Sequence, residues 1–463
     1  MSILSLNHHA DLEVRSSAFR RAFSRRTTRL KAELRTLHLH RDGLVITTAL
    51  FAAALWLAVF SAACGRRSGQ TELTIAVNSG VEGDGLKAAA KDYQAERGVK
   101  VTIAEFPYAN LFEKELVDAV NRTGAYDLIL LDDPWFPRFT SEEQHLADLE
   151  PLYQSRGSPG PDEDFVKTSL ALCRHPYGTG KLYALPYVGN SQLFFYRKDL
   201  FEKYGLRPPA QWDDVLTAAR TITEKEKIHG YTMRGAQGNP VASDFLPLFW
   251  AFGAEMFDAA GRPTVNSPEG VAALKFMLEL GKYSPPGYVS FNADEVAAHL
   301  LQGTAAQTIN WPAWISAFSD PAKSKVLGKV EFTTMPGQKR PGQAEIGNWL
   351  LAIPQAARNQ EASFDFLLWA TSAEQMRQSA LRGNPPTRVS VFNDPEMRAK
   401  YPAFPVQLKS LETSRPRPRT PLWNEIENAF GIFLSKANSG ELTPEAAMNQ
   451  ANEELSRILA RGH

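Results

Sequence analysis

Residues 72–131 alternate between strand-like and helix-like patterns of apolar and polar positions. Short apolar runs predict strands at 73–77, 99–104 and 128–131. The third run, Leu-Ile-Leu-Leu, contains no polar residue, as expected for a strand that is covered on both faces.

Apolar residues at helical spacing occupy the two gaps between these strands, from Leu86 to Tyr93 and from Leu111 to Val120. Asn110 and, three residues later, Glu113 predict the capped start of the second helix. The order β-α-β-α-β predicts an α/β fold with an open parallel sheet. Ligands of such sheets bind beyond the carboxyl ends of the strands, and here the residues at those ends are polar and aromatic.

Later segments also alternate between predicted strands and helices. Strands are predicted at 183–187 and 193–196, and capped helices are predicted to follow Ser267, Ser372 and Thr443. The stretch 175–182 partly resembles a phosphate-binding loop, but it lacks the first Gly and the Ser or Thr after the Lys, so we interpret it as a hairpin turn. The alternating Arg and Pro residues of 415–419 predict an exposed, extended loop.

An apolar run of a different kind lies at 44–63, where no residue is charged. About 20 apolar residues suffice to cross a bilayer. Three small residues before Cys64 are similar to the processing site of a bacterial lipoprotein, and the basic flank before the run favours a cytoplasmic N-terminus. We therefore expect 1–64 to be a leader with a signal or anchor segment and Cys64 to be lipidated. The remainder would be exported, periplasmic or at the cell surface, and membrane-anchored; an uncleaved anchor helix is the alternative.

Composition narrows the function of the exported part. The chain has 51 basic and 51 acidic residues, and 65–463 carries 42 basic and 47 acidic ones, a net charge of −5. This balance argues against nucleic acid as a partner, because nucleic-acid binding needs a basic footprint. The length after the leader is typical of two domains. If Cys64 is lipidated, Cys173 has no partner for a disulfide and cannot form a Cys-based metal site.

Five groups of residues follow one another in an order that is typical of a known family. They are 126–135 (YDLILLDDPW), 181–187 with 193–200 (KLYALPY and LFFYRKDL), 209–215 (PAQWDDV), 305–314 (AAQTINWPAW) and 347–354 (GNWLLAIP). Together they resemble the maltose-binding-like, carbohydrate-type branch of the extracellular solute-binding proteins that serve ABC importers.

The resemblance implies the two-lobed clamshell fold of a type II periplasmic binding protein, with the ligand between the lobes. Both lobes would be discontinuous, with lobe one at 72–188 plus 350–392 and lobe two at 189–346 plus 393–463. It further implies a small-molecule sugar or polyol as ligand. The implied partners are the transmembrane permease subunits of an ABC importer, which use a separate ATPase.

Candidate ligand-binding residues are chosen by the chemistry of sugars. Aromatic rings cover the C–H faces of a sugar, and carboxylates, amides and Arg bind its hydroxyls, so a site needs a few such groups on a largely apolar wall. The resemblance and the strand ends select nine residues: Asp133, Trp135, Tyr187, Asn190, Trp250, Trp311, Trp314, Trp349 and Arg388. Tyr108 and Glu82, which follow strand ends, are weaker candidates.

Two other functions stay open at this point. A ligand-sensing receptor of a signalling system would use the same clamshell. A secreted glycan-active enzyme would need two carboxylates about 5–10 Å apart across a sugar, and the sequence offers no clear pair. We find no catalytic motif, metal-binding His pair or cofactor loop, so we expect a binding protein rather than an enzyme, with no metal and no cofactor. Sugar phosphates remain open among the ligands.

Overall fold

The computed structural model describes residues 71–141 and 144–461, which belong to one compact unit, Gln70–His463. The predicted leader at 1–64, with its apolar run and Cys64, lies outside the described residues. Within them, no helix has both the length and the apolar character needed to span a membrane.

Ten strands lie in this part of the chain, and their bounds follow the predicted runs closely. They are β1 (Glu72–Asn78), β2 (Lys100–Phe106), β3 (Leu128–Asp132), β4 (Arg174–His175), β5 (Lys181–Leu182), β6 (Ala184–Val188), β7 (Leu193–Arg197), β8 (Gln307–Asn310), β9 (Val330–Thr333) and β10 (Trp349–Ala352). The hairpin predicted at 175–182 is formed by β4 and β5, which pair antiparallel.

Helices connect and cover these strands. They are α1 (Val81–Arg97), α2 (Tyr108–Asn121), α3 (Phe136–Thr140), α4 (Leu149–Ser155), α5 (Lys167–Leu172), α6 (Lys198–Lys203), α7 (Trp212–Lys225), α8 (Asn239–Ala251), α9 (Pro268–Gly281), α10 (Ala293–Leu301), α11 (Ile315–Phe318), α12 (Gln360–Ala370), α13 (Ala373–Leu381), α14 (Val389–Asn393), α15 (Pro395–Lys400), α16 (Phe404–Thr413), α17 (Trp423–Asn438) and α18 (Pro444–Arg461).

The predicted helix starts are confirmed at three positions and wrong at one. Ser267 and Ser372 accept hydrogen bonds from backbone N–H groups of the first turns of α9 and α13, and Thr443 does the same for α18. Asn110 does not cap α2, because that helix already begins at Tyr108, directly after Pro107. Pro107 is the N-cap, and its carbonyl oxygen accepts hydrogen bonds from the backbone N–H groups of Asn110 and Leu111 in the first turn.

The first sheet has the strand order β2-β1-β3-β10-β6. Strand β1 pairs in parallel with β2 and β3, as the β-α-β-α-β pattern predicts. Strand β10 returns from far along the chain and runs antiparallel between β3 and β6. Its first residue, Trp349, thereby lies opposite Asp132 at the carboxyl end of β3.

A second sheet has the order β8-β7-β9, with both pairs antiparallel. Side chains of its central strand alternate between two apolar clusters, as the period of a strand requires. Phe194 packs in the cluster that contains Trp212, whereas Leu193 and Phe195 belong to a smaller cluster with Phe318.

Two large buried cores correspond to the two sheets. The first contains residues of β1, β3, β6 and β10, and the second contains residues of α7 to α9, α17 and α18. Beyond residue 392, the expected end of lobe one, Met397, Phe404 and Leu411 are buried in the first core. We propose that lobe one extends to residue 411, with the other boundaries as expected from the sequence.

Candidate functional site

A cavity of about 300 Å³, called the cleft below, lies between the strand ends of the first sheet and residues at the starts of α8 and α10 and after β8. Its walls combine aromatic rings, amides and charged side chains. The lining residues are Asn78, Ser79, Gly80, Val81, Glu82, Tyr108, Asp132, Asn190, Arg234, Asn239, Asn292, Ala293, Asp294, Trp311, Trp314, Gly347, Trp349 and Arg417.

The first wall of the cleft is formed at the carboxyl ends of β1 and β3, where the topology of an open sheet places ligands. Asn78 ends β1 and Asp132 ends β3. The hydroxyl of Tyr108 donates to Oδ2 of Asp132 at 2.8 Å, and the Tyr108 ring meets Trp349 edge-on at 6.0 Å between centroids. Trp135 packs behind both rings, at 5.0 and 5.9 Å. The sheet edge thus presents a carboxylate within a rigid aromatic wall.

The second wall contains Trp311 and Trp314, which follow β8. A Cβ on Gly347 would lie 2.7 Å from Trp311, so only glycine allows the indole to approach the segment before β10 this closely. The Arg234 guanidinium lies 5.6 Å from the centre of the Trp311 ring, and its Nε donates to Asp244 at 2.6 Å. These contacts on both sides hold the indole in one orientation.

Glu82 projects from the first turn of α1 into the cleft. Its carboxylate accepts hydrogen bonds from the amide nitrogens of Asn190 at 3.3 Å and Asn78 at 3.4 Å. Glu82 thereby joins the end of β1 to the segment that follows β6. Burial raises the pKa of Glu82, while hydrogen bonds from its own backbone N–H and from the two amides lower it by less. No ion pair of Glu82 is found within residues 71–141 and 144–461.

Arg417 connects the two cores through four carboxylates. Its Nη2 lies 3.1 Å from Asp132 and 3.2 Å from Asp133, which belong to the first sheet and its following turn. Its Nη1 lies 3.5 Å from Glu345 and 3.7 Å from Glu427, which lies on α17. The Arg417 side chain is 2% exposed, so these charges interact with little screening by water.

Carboxylates outnumber the guanidinium groups in this network, and their pKa values reflect it. Burial raises the pKa of Glu345 to about 8 and that of Asp133 to about 7, although Arg417 opposes both shifts. Arg419 adds a second cation at 3.1 Å from Asp133. The network therefore combines strong attraction to two arginines with the cost of burying several acids together.

Four of the nine predicted residues line the cleft, namely Asn190, Trp311, Trp314 and Trp349. The groups 305–314 and 347–354 thus each contribute residues to the cleft. Trp135 and Asp133 lie next to the cleft but behind its first wall. Trp135 packs against the rings of that wall, and Asp133 binds Arg417 and Arg419. In the cleft itself, the neighbouring residue Asp132 takes the place that we expected for Asp133.

The other three predicted residues lie away from the cleft. Tyr187 is buried in the first core and Trp250 in the second, where the Arg415 guanidinium covers its ring at 4.8 Å. Arg388 binds Asp162 and the carbonyl oxygen of Thr371 beneath the loop that precedes α5. Cys64 lies outside the described residues.

Sequence reasoning missed Asn78, Asp132, Arg234 and Arg417, and it ranked Glu82 and Tyr108 too low. The strand-end rule could have selected Asn78 and Asp132, since each is the last residue of its strand. Nothing local marks Arg417. The prediction that 415–419 is an exposed loop is wrong, because Arg417 is buried between the two cores.

Comparison with known sequences identifies the family. The model of the bacterial extracellular solute-binding proteins matches residues 78–377, which begin at Asn78 of the cleft. The chain belongs to this family. A probable amino-acid ABC transporter periplasmic-binding protein of Sinorhizobium fredii is 28% identical, over 85% of this chain and 90% of that relative. The mannitol-binding protein of Pseudomonas aeruginosa is 30% identical over 61% of this chain and 70% of its own length.

Solved structures support the same conclusion. An ABC transporter solute-binding protein of Agrobacterium radiobacter K84, in complex with ribitol, has a TM-score of 0.77 and 28% identity, covering 84% of this chain and 98% of that one. The two-lobed periplasmic binding protein fold expected from the sequence is thereby confirmed for the exported part.

Proposed function

We propose that this chain is the substrate-binding protein of an ABC importer and that its ligand is a small sugar or sugar alcohol. The observation that carries the proposal is the cleft, where Trp311, Trp314 and Trp349 face Asn190 and Asp132. Such rings cover C–H faces, and such polar groups bind hydroxyls. Mannitol and ribitol, which the names of two similar proteins give as ligands, belong to this chemical class.

The size of the cleft supports a small ligand. Its volume of about 300 Å³ lies at the lower end of the range of about 300–1,000 Å³ that is usual for small-molecule sites. A single sugar ring or an open-chain sugar alcohol fits this volume better than an oligosaccharide does.

The charges of the cleft disfavour an anionic ligand. Arg234 is held by Asp244, and Arg417 is held by Asp132 and Asp133. A phosphate or carboxylate of a ligand would have to displace these partners, which would leave buried acids unpaired at high cost. We therefore place sugar phosphates, and the amino acids in the name of the Sinorhizobium relative, behind ligands without negative charge.

Binding and delivery would follow from the two-sided site. A ligand that contacts both walls stabilises the closed arrangement of the lobes, and the apparent affinity also depends on how readily the free protein closes. The closed form would then dock on the permease subunits. We propose no catalysis, because Asp132 is engaged by Tyr108 and Arg417 and is not free to serve as one of two glycosidase carboxylates. A sensing role remains the second candidate, on the same geometry.

We also propose that the exported protein is tethered to the membrane through its N-terminus, by a lipid on Cys64 or by an uncleaved helix at 44–63. The mass of the protein extracted from the membrane separates the two. We expect a lipid-modified N-terminus at Cys64 if the lipid is the tether, and a chain that retains residues 44–63 if the helix is.

The ligand proposal is tested with the full-length protein, purified in a mild detergent. Ribitol, mannitol, single sugars, maltose, sugar phosphates and amino acids are titrated while tryptophan fluorescence and melting temperature are followed. A ligand at 100 times its Kd should stabilise the folded state by about 2.7 kcal/mol. Trp311→Ala should weaken binding, whereas Trp369→Ala, whose indole binds Glu96 outside the cleft, should not. A response to amino acids alone would overturn the proposal.

A further inference from the structure

The carboxylate of Glu82 stands out because it is the partly buried acid of the cleft wall that has no cation beside it. Asp132 has Arg417 and the Tyr108 hydroxyl as partners. Asp294, the remaining acid of the lining, is exposed to solvent at the start of α10. Among the described residues, Glu82 has only neutral amides around its carboxylate, from Asn78 and Asn190.

The side-chain oxygens of Asn78 and Asn190 also lack hydrogen-bond donors. Asn78 is 4% exposed and Asn190 is 3% exposed, and both use their amide nitrogens on Glu82. This orientation leaves their side-chain oxygens, Oδ1 of each, buried without a hydrogen-bond partner. A carboxylate and two amide oxygens can only accept hydrogen bonds, so this corner of the cleft requires a donor-rich ligand.

The helix start does not explain Glu82. Acidic residues in a first turn stabilise a helix through its dipole, and an exposed carboxylate is sufficient for this effect. Asp84, in the same turn of α1, has this arrangement: its side chain is 63% exposed and lies 2.6 Å from Lys87. Holding the Glu82 carboxylate partly buried without a cation costs stability, so its presence points to a partner that arrives with the ligand.

We propose that the preferred ligand is a sugar or sugar alcohol that carries a protonated amine, and that its ammonium group binds Glu82 together with the side-chain oxygens of Asn78 and Asn190. The inference rests on the proposed function and names the ligand class of the same cleft. An ammonium group donates up to three hydrogen bonds and accepts none, which matches this corner. A hydroxyl donates one and brings lone pairs with it. The aromatic walls suit a cation as well as a C–H face.

The test compares matched pairs that differ in one group. Sorbitol is paired with 1-amino-1-deoxysorbitol and its N-methyl derivative, glucose with glucosamine, and galactose with galactosamine; N-acetylglucosamine controls for size without charge. Titration calorimetry on the full-length protein at pH 7 should give at least about tenfold tighter binding for the amine in the pair that fits best, because a buried charge pair is worth more than a neutral hydrogen bond.

Variants assign the preference to Glu82. Glu82→Gln should reduce the amine to the affinity of its hydroxyl partner, while Asp84→Asn, in the same helical turn, should keep the ratio. If a hydroxyl compound binds as tightly as its amine in the wild type, the inference is wrong and the sugar-binding function stands. If Glu82→Gln keeps the full preference, Glu82 is not the partner and the inference also fails. If no member of any pair and no other polyol binds, the proposed function itself fails.

Discussion

Two buried arginines, Arg388 and Arg417, have similar exposure but different surroundings. Arg388 lies under the loop before α5, where it binds Asp162, whose side chain is 61% exposed, and packs on the Phe165 ring at 3.7 Å. Arg417 lies between the two cores and faces four acids that are themselves buried. The first arginine fastens a surface loop, and the second joins the two halves of the cleft.

The difference shows what decides the role of a buried charge. The partner of Arg388 can be solvated when the arginine is removed, so the pair is local and replaceable. The partners of Arg417 cannot be solvated without opening the interior. The contribution of each arginine therefore depends on the burial of its partners more than on its own.

The largest expected effect comes from Arg417→Met. The substitution leaves Asp132, Asp133, Glu345 and Glu427 without their shared cation, and we expect a loss of about 3–5 kcal/mol in the free energy of unfolding at pH 8. The loss should be smaller at pH 5, where some of these acids can take up protons. Urea unfolding at both pH values measures it. A loss below about 1 kcal/mol at pH 8 would mean that the network does not hold the halves together.

The pH dependence of the network gives the second effect. Burial raises the pKa of Glu345 from 4.5 to about 8. A carboxyl with a raised pKa contributes stability that is fully present below pH 4.5 and is lost as the pH rises to 8. Each pH unit is worth up to about 1.4 kcal/mol.

Glu345→Gln should therefore gain stability relative to the wild type between pH 5 and pH 8, whatever its stability at pH 5. The melting temperatures of both proteins across this range provide the measurement. Glu412→Gln, on the exposed side of α16, is the matched control for the loss of a carboxylate at the surface. A constant difference between Glu345→Gln and the wild type would show that Glu345 stays ionised.

Arg388→Met should have a moderate effect. It removes the hydrogen bond from Nε to the buried carbonyl oxygen of Thr371, at 2.8 Å, and the contact with Phe165, and we expect a cost of about 1–3 kcal/mol. Because Arg388 does not line the cleft, ligand affinity should be unchanged at temperatures where the variant is folded. Calorimetric titration tests this. A large loss of ligand affinity would mean that Arg388 contributes to ligand binding after all.

The local sequence pattern was sufficient to predict those elements whose determining interactions are local. The apolar runs gave β1 to β3, and Ser267 and Ser372 cap their helices as predicted. Trp311, Trp314 and Trp349 could be predicted to face the cleft from their positions in the family motifs.

Pairing over long distances could not be predicted in this way. Arg417 meets Asp132 across 285 residues of sequence, and the same Arg-Pro alternation would suit an exposed strip. Arg388 had a family position near the cleft, but Asp162, 226 residues earlier, and Asp164 hold it elsewhere. Which acid an arginine meets depends on how the sheets assemble, and that information is spread over the whole chain.

Arg415→Met should have the smallest effect and completes the comparison within one segment. Arg415 lies two residues before Arg417, is 31% exposed, and pairs with Glu255 at the edge of the second core while covering Trp250. After the substitution Glu255 remains partly exposed and keeps Arg340 as a partner, so we expect a cost of about 0.5–1 kcal/mol, measured by urea unfolding. Since the sequence context of the two arginines is nearly identical, a large cost for Arg417 and a small one for Arg415 would assign the difference to burial of the partners. Equal costs would instead show that the burial of the partners does not decide the contribution of an arginine in this extended segment.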